Sequence, residues 1–130
     1  MQSRHAVVWM DHREARVAHF DREDSQASHV VNDIKHRQTH VKAGSRDGKR
    51  TVTDHGYLEG VVASIADASE WLIIGPGSAK DEFAAYVRDK HPTLSDRIVG
   101  VEAADHPTEA EVLAFARKFF RAADRMRPQL

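Results

Sequence analysis

The sequence predicts one α/β domain whose elements run strand-strand-strand-helix-strand-helix-strand-helix, giving a mixed five-stranded sheet with helices on its faces. Short runs rich in β-formers crowd the first third of the chain. Beyond them, an apolar run bounded by turn residues is flanked by stretches of helical periodicity. A length of 130 residues suits a single domain, able to bury roughly two-thirds of the surface its unfolded form exposes.

The apolar run HAVVWM (5–10) and the segment EARVAHF (14–20) read as a hairpin, with Asp11-His12-Arg13 as the turn. A third strand is expected from about Ser28 to His36, with Val30, Ile34 and His36 on one face and His29, Val31 and Asp33 on the other. RQTHVKAGSRDGKR (37–50) has no apolar periodicity, two glycines and five cationic side chains, and reads as an exposed loop. Thr53-Asp54 offers an N-cap, after which Tyr57, Leu58, Val61, Val62 and Ile65 fall on one helical face. EWLIIG (70–75) is continuously apolar, as a strand buried on both faces of a parallel sheet would be. Gly75-Pro76-Gly77 makes a turn and Ser78 can cap a helix that buries Ala79, Phe83 and Val87 and stops near His91-Pro92. RIVGVE (97–102) supplies the last strand. Thr108-x-x-Glu111 is a capping box before the wide stripe Val112, Leu113, Ala116, Phe119, Phe120 and Ala123. A three-strand meander followed by two strand-helix crossovers is the element order of a ribonuclease H-like fold.

Nineteen basic and twenty acidic residues leave a formal charge of -1, so no whole-molecule field draws the protein to nucleic acid or membrane, and any basic site is local. With no cysteine, disulfides and thiolate chemistry are excluded, and a reducing, cytoplasmic setting is expected. The apolar run after the N-terminus is broken by Asp11, too short for a signal segment or a membrane span.

The basic loop is the first candidate site: His36, Arg37, His40, Lys42, Arg46, Lys49 and Arg50 can approach RNA phosphates, with counterion release supplying salt-sensitive affinity. The plainer reading is a solvated loop, and no aromatic residue interleaves the charges to stack on bases. The second candidate is an anion-binding turn, Gly75, Gly77, Ser78 and Lys80, where backbone N–H groups meet a helix start. It lacks P-loop spacing, and the simpler expectation is a tight strand-to-helix passage with Lys80 on a solvated helix face. His36-x3-His40 has a metal-like spacing, with His29, Asp54 and His55 as conceivable further ligands. It falls on a strand end and loop, so surface or phosphate-facing histidines are expected, and neither metal nor cofactor. A two-metal nuclease would need three converging carboxylates. Asp11 and Glu59 could supply two, but the Gly75-Pro76-Gly77 turn occupies the third place, and Asp11 is more simply a turn residue. Trp9, Trp71, Phe83, Phe119, Phe120 and Met10 are expected in the core.

The strand Trp71 to Gly75, the turn Gly75-Pro76-Gly77 and the helix start Ser78-Ala79-Lys80-Asp81-Glu82-Phe83 together resemble one segment of the Pelota family's middle domain, and more loosely that of eukaryotic and archaeal class-1 release factors. IIGPGSAKDEFAAYV carries the likeness. AVVWMDHREARVAHF resembles the opening hairpin of that domain, and RIVGVEAADHPTEAEVLAF falls where its last strand and helix belong. The resemblance implies a ribonuclease H-like fold and a role in translation, near the transfer-RNA acceptor end in the ribosomal A site. In the release factors the loop after the third strand carries a Gly-Gly-Gln motif that promotes peptidyl-tRNA hydrolysis. Here that loop holds Gly44 and Gly48 with no glutamine beside either, so hydrolase activity does not carry over. The family's decoding and GTPase-contacting domains have no counterpart in the sequence, so a domain acting by itself is expected.

The leading expectation is thus a non-catalytic, ribosome-associated protein that binds ribosomal or transfer RNA through loop 37–50. The alternatives are a hydrolase of peptidyl-tRNA or another nucleic-acid ester using His36, His40 or His55 as base, and a protein-interaction module acting in a stress response. The sequence leaves the oligomeric state open.

Overall fold

The computed structural model describes residues 5–21, 24–32 and 55–126. In chain order these form β1 (His5–Met10), β2 (Glu14–Phe20), β3 (Ser25–Val31), α1 (His55–Ile65), β4 (Glu70–Gly75), α2 (Ala79–Lys90), a 3-10 turn (Ser95–Arg97), β5 (Ile98–Ala103) and α3 (Glu109–Met126). The sheet order is β3-β2-β1-β4-β5. β1 pairs antiparallel with β2 and β2 with β3, while β4 runs parallel to both β1 and β5. This is the mixed ribonuclease H-like sheet expected from the element order.

The apolar patterns explain the layering. In β1, Ala6, Val8 and Met10 pack with Tyr57, Leu58, Val61 and Ile65 of α1 and Phe83 and Val87 of α2. Val7 and Trp9 pack on the opposite face with Leu72, Ile74, Val112, Ala116 and Phe120. Strands β1 and β4 carry apolar side chains on both faces because helices cover both, the condition under which a continuously apolar strand is stable. Each large side chain so buried contributes about 1.5–3 kcal/mol. The buried indoles keep their N–H groups bonded: Trp71 Nε1 donates to the Ala68 carbonyl at 3.0 Å and Trp9 Nε1 to that of Asp105 at 2.7 Å. The Ala68 carbonyl also accepts from Arg97 Nη1, which reaches Ala66 O as well and so ties the end of α1 to β5.

The capping box forms as the sequence predicts. Glu111 N–H donates to Thr108 Oγ1 at 3.1 Å and Thr108 N–H to Glu111 Oε1 at 2.8 Å. Beneath it Val112, Ala116 and Phe120 are buried and Leu113 and Phe119 half-buried, whereas the side chain of Ala123 and the Thr53-Asp54 cap lie outside the described residues.

The third strand differs from the expected Ser28 to His36. It begins at Ser25 and ends at Val31. Pairing with β2 sets its start, from Ser25 opposite Phe20 to Val31 opposite Glu14. At its end Asn32 turns its side chain into the hairpin, where Nδ2 donates to the His12 carbonyl at 2.9 Å and its N–H to Arg13 O.

Candidate functional site

The carboxyl ends of β1 and β4 bring the β1–β2 and β4–α2 turns together, with His12 Nε2 3.1 Å from Glu82 Oε1. The β1–β2 turn is fixed by Asp11, whose Oδ1 accepts the N–H groups of Arg13 at 2.9 Å and Glu14 at 3.0 Å. This is the turn role expected of an aspartate whose side chain mimics a backbone acceptor. Asn32 and Tyr57 both fasten to this turn, the first through the His12 and Arg13 carbonyls and the second through its hydroxyl, which donates to Asp11 O at 2.8 Å. Asn32 precedes positions 33–54 and Tyr57 lies in the first turn of α1 after them, so residues on both sides of the basic loop are fastened to one turn. Burial, then the charges of Asp11 and Glu14, hold the Tyr57 phenol well above its ordinary pKa, and it stays a donor at any physiological pH.

The β4–α2 turn abuts the same place. Gly75 has φ +151°, and a Cβ there would stand 2.1 Å from the Met10 carbonyl oxygen, so the glycine is required by the close passage of β4 past β1. Gly77 is left-handed at φ +62° with open space around it. Ser78 does not cap α2 through its side chain. Its Oγ instead donates to Glu82 Oε2 at 3.0 Å, and Glu82 Oε1 lies 3.1 Å from His12 Nε2. Nor does Lys80 sit on a solvated helix face: it is buried, its ammonium donates to the Gly77 carbonyl and stands 3.5 Å from Asp81. The aliphatic stem is shielded while the charge stays satisfied, the usual condition for burying lysine. The hydroxyl and the cation of the turn are therefore engaged within the protein, and Asp81 and Glu82 supply negative charge at the helix start.

His36, Arg37, His40, Lys42, Arg46, Lys49 and Arg50 lie outside the described residues, as does the His36-x3-His40 pair. Asp11 and Glu59 do not converge as nuclease ligands. Asp11 caps its own turn, whereas Glu59 is held by His91 Nε2 at 2.7 and 2.8 Å and by the Tyr86 hydroxyl at 3.2 Å. The His91 hydrogen bond lowers the Glu59 pKa, and slight desolvation followed by the Glu59 contact raises that of Tyr86. Among the described residues no group of three or more His, Cys, Asp or Glu is arranged to hold a metal.

Sequence reasoning missed a recurrent pairing of histidine with carboxylate. Besides His12–Glu82 and His91–Glu59, His5 meets Glu70 at 3.1 Å, His29 meets Glu14 at 2.6 Å, and His19 lies 3.2 Å from Asp67 without hydrogen-bond geometry. His5 also stacks on Phe120 with ring centroids 4.1 Å apart. His55, a candidate base, sits with its ring 5.2 Å from that of Tyr86. These partners are mostly far apart in sequence, and no local motif marks them.

No family model matches the chain. The structure resembles the crystal structures of Archaeoglobus fulgidus Pelota, with TM-score 0.63 and 10% identity, and of Thermoplasma acidophilum Pelota, with TM-score 0.61 and 20% identity. They cover 91% and 89% of this chain but 32% of each Pelota chain, and at these identities they show the fold. In sequence, a 65-residue segment is 42% identical to a Pelota homolog of Methanoculleus marisnigri, covering 49% of this chain and 19% of that protein. A Pelota homolog of Methanoregula boonei is 35% identical over 63 residues, 48% of this chain and 18% of the relative. The expected resemblance to Pelota is borne out, and the chain carries a Pelota-like domain. It spans less than a third of the length of its Pelota relatives. Among the described residues no helix is long and apolar enough to cross a membrane.

Proposed function

We propose that this domain works in translation as a non-catalytic, ribosome- or RNA-binding module of the cytoplasm, with the 37–50 loop making phosphate contacts. The observation that carries the reading is the 42% identity to a Pelota homolog over 65 residues, 49% of the chain. The placement of the loop's flanks supports it. Asn32 and Tyr57, on either side of the loop in sequence, both anchor to the β1–β2 turn, and residues 37–50 carry five cationic side chains. Loops on a rigid scaffold are where binding residues concentrate. Phosphate contacts of this kind position without reading sequence, and their affinity falls as salt rises.

A hydrolase is the second reading, with His36, His40 or His55 as general base. The absent Gly-Gly-Gln motif weighs against it. Release of peptide from peptidyl-tRNA on ribosomes separates the two: a binding module leaves the ester intact, whereas a hydrolase liberates peptide. The RNA contact itself is tested by fluorescence polarisation with transfer RNA, comparing the native protein with a variant carrying Arg46→Ala, Lys49→Ala and Arg50→Ala. Weaker binding with an unchanged melting curve is expected, and unchanged binding removes the loop from the account.

A further inference from the structure

The edge strand β3 has an outward backbone that fits a second copy of itself. Residues 24 and 32 face β2, since Asp21 N–H donates to Asp24 O and Asn32 N–H to Arg13 O. Hydrogen-bonded and non-bonded pairs alternate along an antiparallel ladder. Gln26, Ser28 and Val30 are therefore bonded to β2, while Ser25, Ala27, His29 and Val31 direct their N–H and C=O groups away from the sheet. Among the described residues those outward groups have no partner. Every residue of the strand except Val30 is exposed, and Val31 retains 62% of its surface.

Protein edges are usually blunted by lysine, proline, a bulge or an inward charge. β3 reads SQASHVV, with none of these residues, and pairs with β2 in unbroken register over seven residues. We infer that β3 joins β3 of a second copy of this chain in an antiparallel, two-fold symmetric pair centred on Ser28. The register follows from the outward groups. With Ser28 opposite Ser28, Ser25 stands against Val31 and Ala27 against His29 of the second copy, and every outward N–H and C=O finds an acceptor or donor. A shift by two residues leaves one outward residue at each end unpaired, and one such shift sets His29 against His29.

The side chains agree with this register. No like charges face each other across the new ladder, as His29 carries the strand's sole titratable group and is held by Glu14 of its own chain. His29 of the second copy falls beside Ala27, at the rim of a groove of about 250 Å³ whose lining includes Ala18, Ala27, Ala110 and Leu113. The three alanines leave room for the imidazole, and Arg16 and Glu109 also line the groove. The result is a closed two-fold dimer with a continuous sheet.

Sedimentation equilibrium of the full chain over rising concentration, with hydrogen exchange on the same samples, tests the inference. The expected result is a doubling of mass, accompanied by slowed exchange at Ser25, Ala27, His29 and Val31 and no change at Gln26, Ser28 and Val30. Ala27→Pro deletes an outward donor and leaves the β2 pairing intact, so it should give a monomer with native circular dichroism. Should that variant misfold, Ala27→Lys supplies the same test. A native protein that stays monomeric at the highest concentration overturns self-pairing. So does a dimer whose outward amides exchange as in the monomer, because its contact lies elsewhere, or slow outward amides at every concentration in a monomer, because another segment then covers the edge.

Discussion

Replacing Gly75 by alanine tests the packing between the two central strands. A Cβ at this position would stand 2.1 Å from the Met10 carbonyl oxygen and 3.2 Å from its carbon, and neither backbone atom can rotate away. The φ of +151° adds a conformation that a side chain disfavours. Strain of about 1–3 kcal/mol and overpacking of about 1–3 kcal/mol give a loss of roughly 2–6 kcal/mol. A domain of this kind has about 5–15 kcal/mol in total, so Gly75→Ala should lower Tm by roughly 10–20 °C. Gly77→Ala is the control, because its φ of +62° is left-handed but nothing lies within 4 Å of the added carbon. It should cost only about 1–2 kcal/mol. Urea unfolding followed by circular dichroism measures both. Equal losses in the two variants would refute the close passage of β4 past β1 as the reason for Gly75.

Tyr57→Phe removes the donor to Asp11 O and should cost about 1–2 kcal/mol by chemical denaturation at neutral pH. Because folding raises the Tyr57 pKa, its contribution is complete below the ordinary phenol value of 10.0 and declines as pH rises above it, so the variant should lose less stability than the native protein on the alkaline side. Glu59→Gln should flatten the acid side of the stability profile. The folded-state pKa of Glu59 is lowered, so its contribution is present above the ordinary 4.5 and lost as pH falls through the depressed value, which urea midpoints below pH 5 would register. Thr108→Ala breaks the reciprocal cap of α3 and should cost about 1 kcal/mol, read as a small fall in Tm with no change in sheet content.

Much of this fold is written in local pattern. The hairpin, α1, β4 and the capped start of α3 each combine a periodic apolar run with turn or cap residues, and their bounds agree closely with the structure. β3 was harder to place because an edge strand needs no buried stripe. Its first residues Ser25, Gln26, Ala27 and Ser28 are held by backbone pairing with β2, while Val30, Val31 and Ile34 drew the expected strand toward 28–36. Lys80 was misplaced because residue spacing does not show that its ammonium turns back onto the Gly77 carbonyl. The pairs His5–Glu70 and His12–Glu82 join residues 65 and 70 positions apart, and only the sheet topology brings them together. The β4–α2 segment, from which the Pelota resemblance is read, combines a turn glycine forced by strand packing with the first turn of α2, so backbone geometry restricts the residues it accepts.

The most direct test of a translation role is co-sedimentation of the protein with ribosomes at low and moderate salt, alongside the variant carrying Arg46→Ala, Lys49→Ala and Arg50→Ala. The account predicts association at low salt that weakens as salt rises and falls in the variant, whose melting temperature is unchanged. Absence of association at low salt, or association that the triple replacement leaves intact, would contradict it.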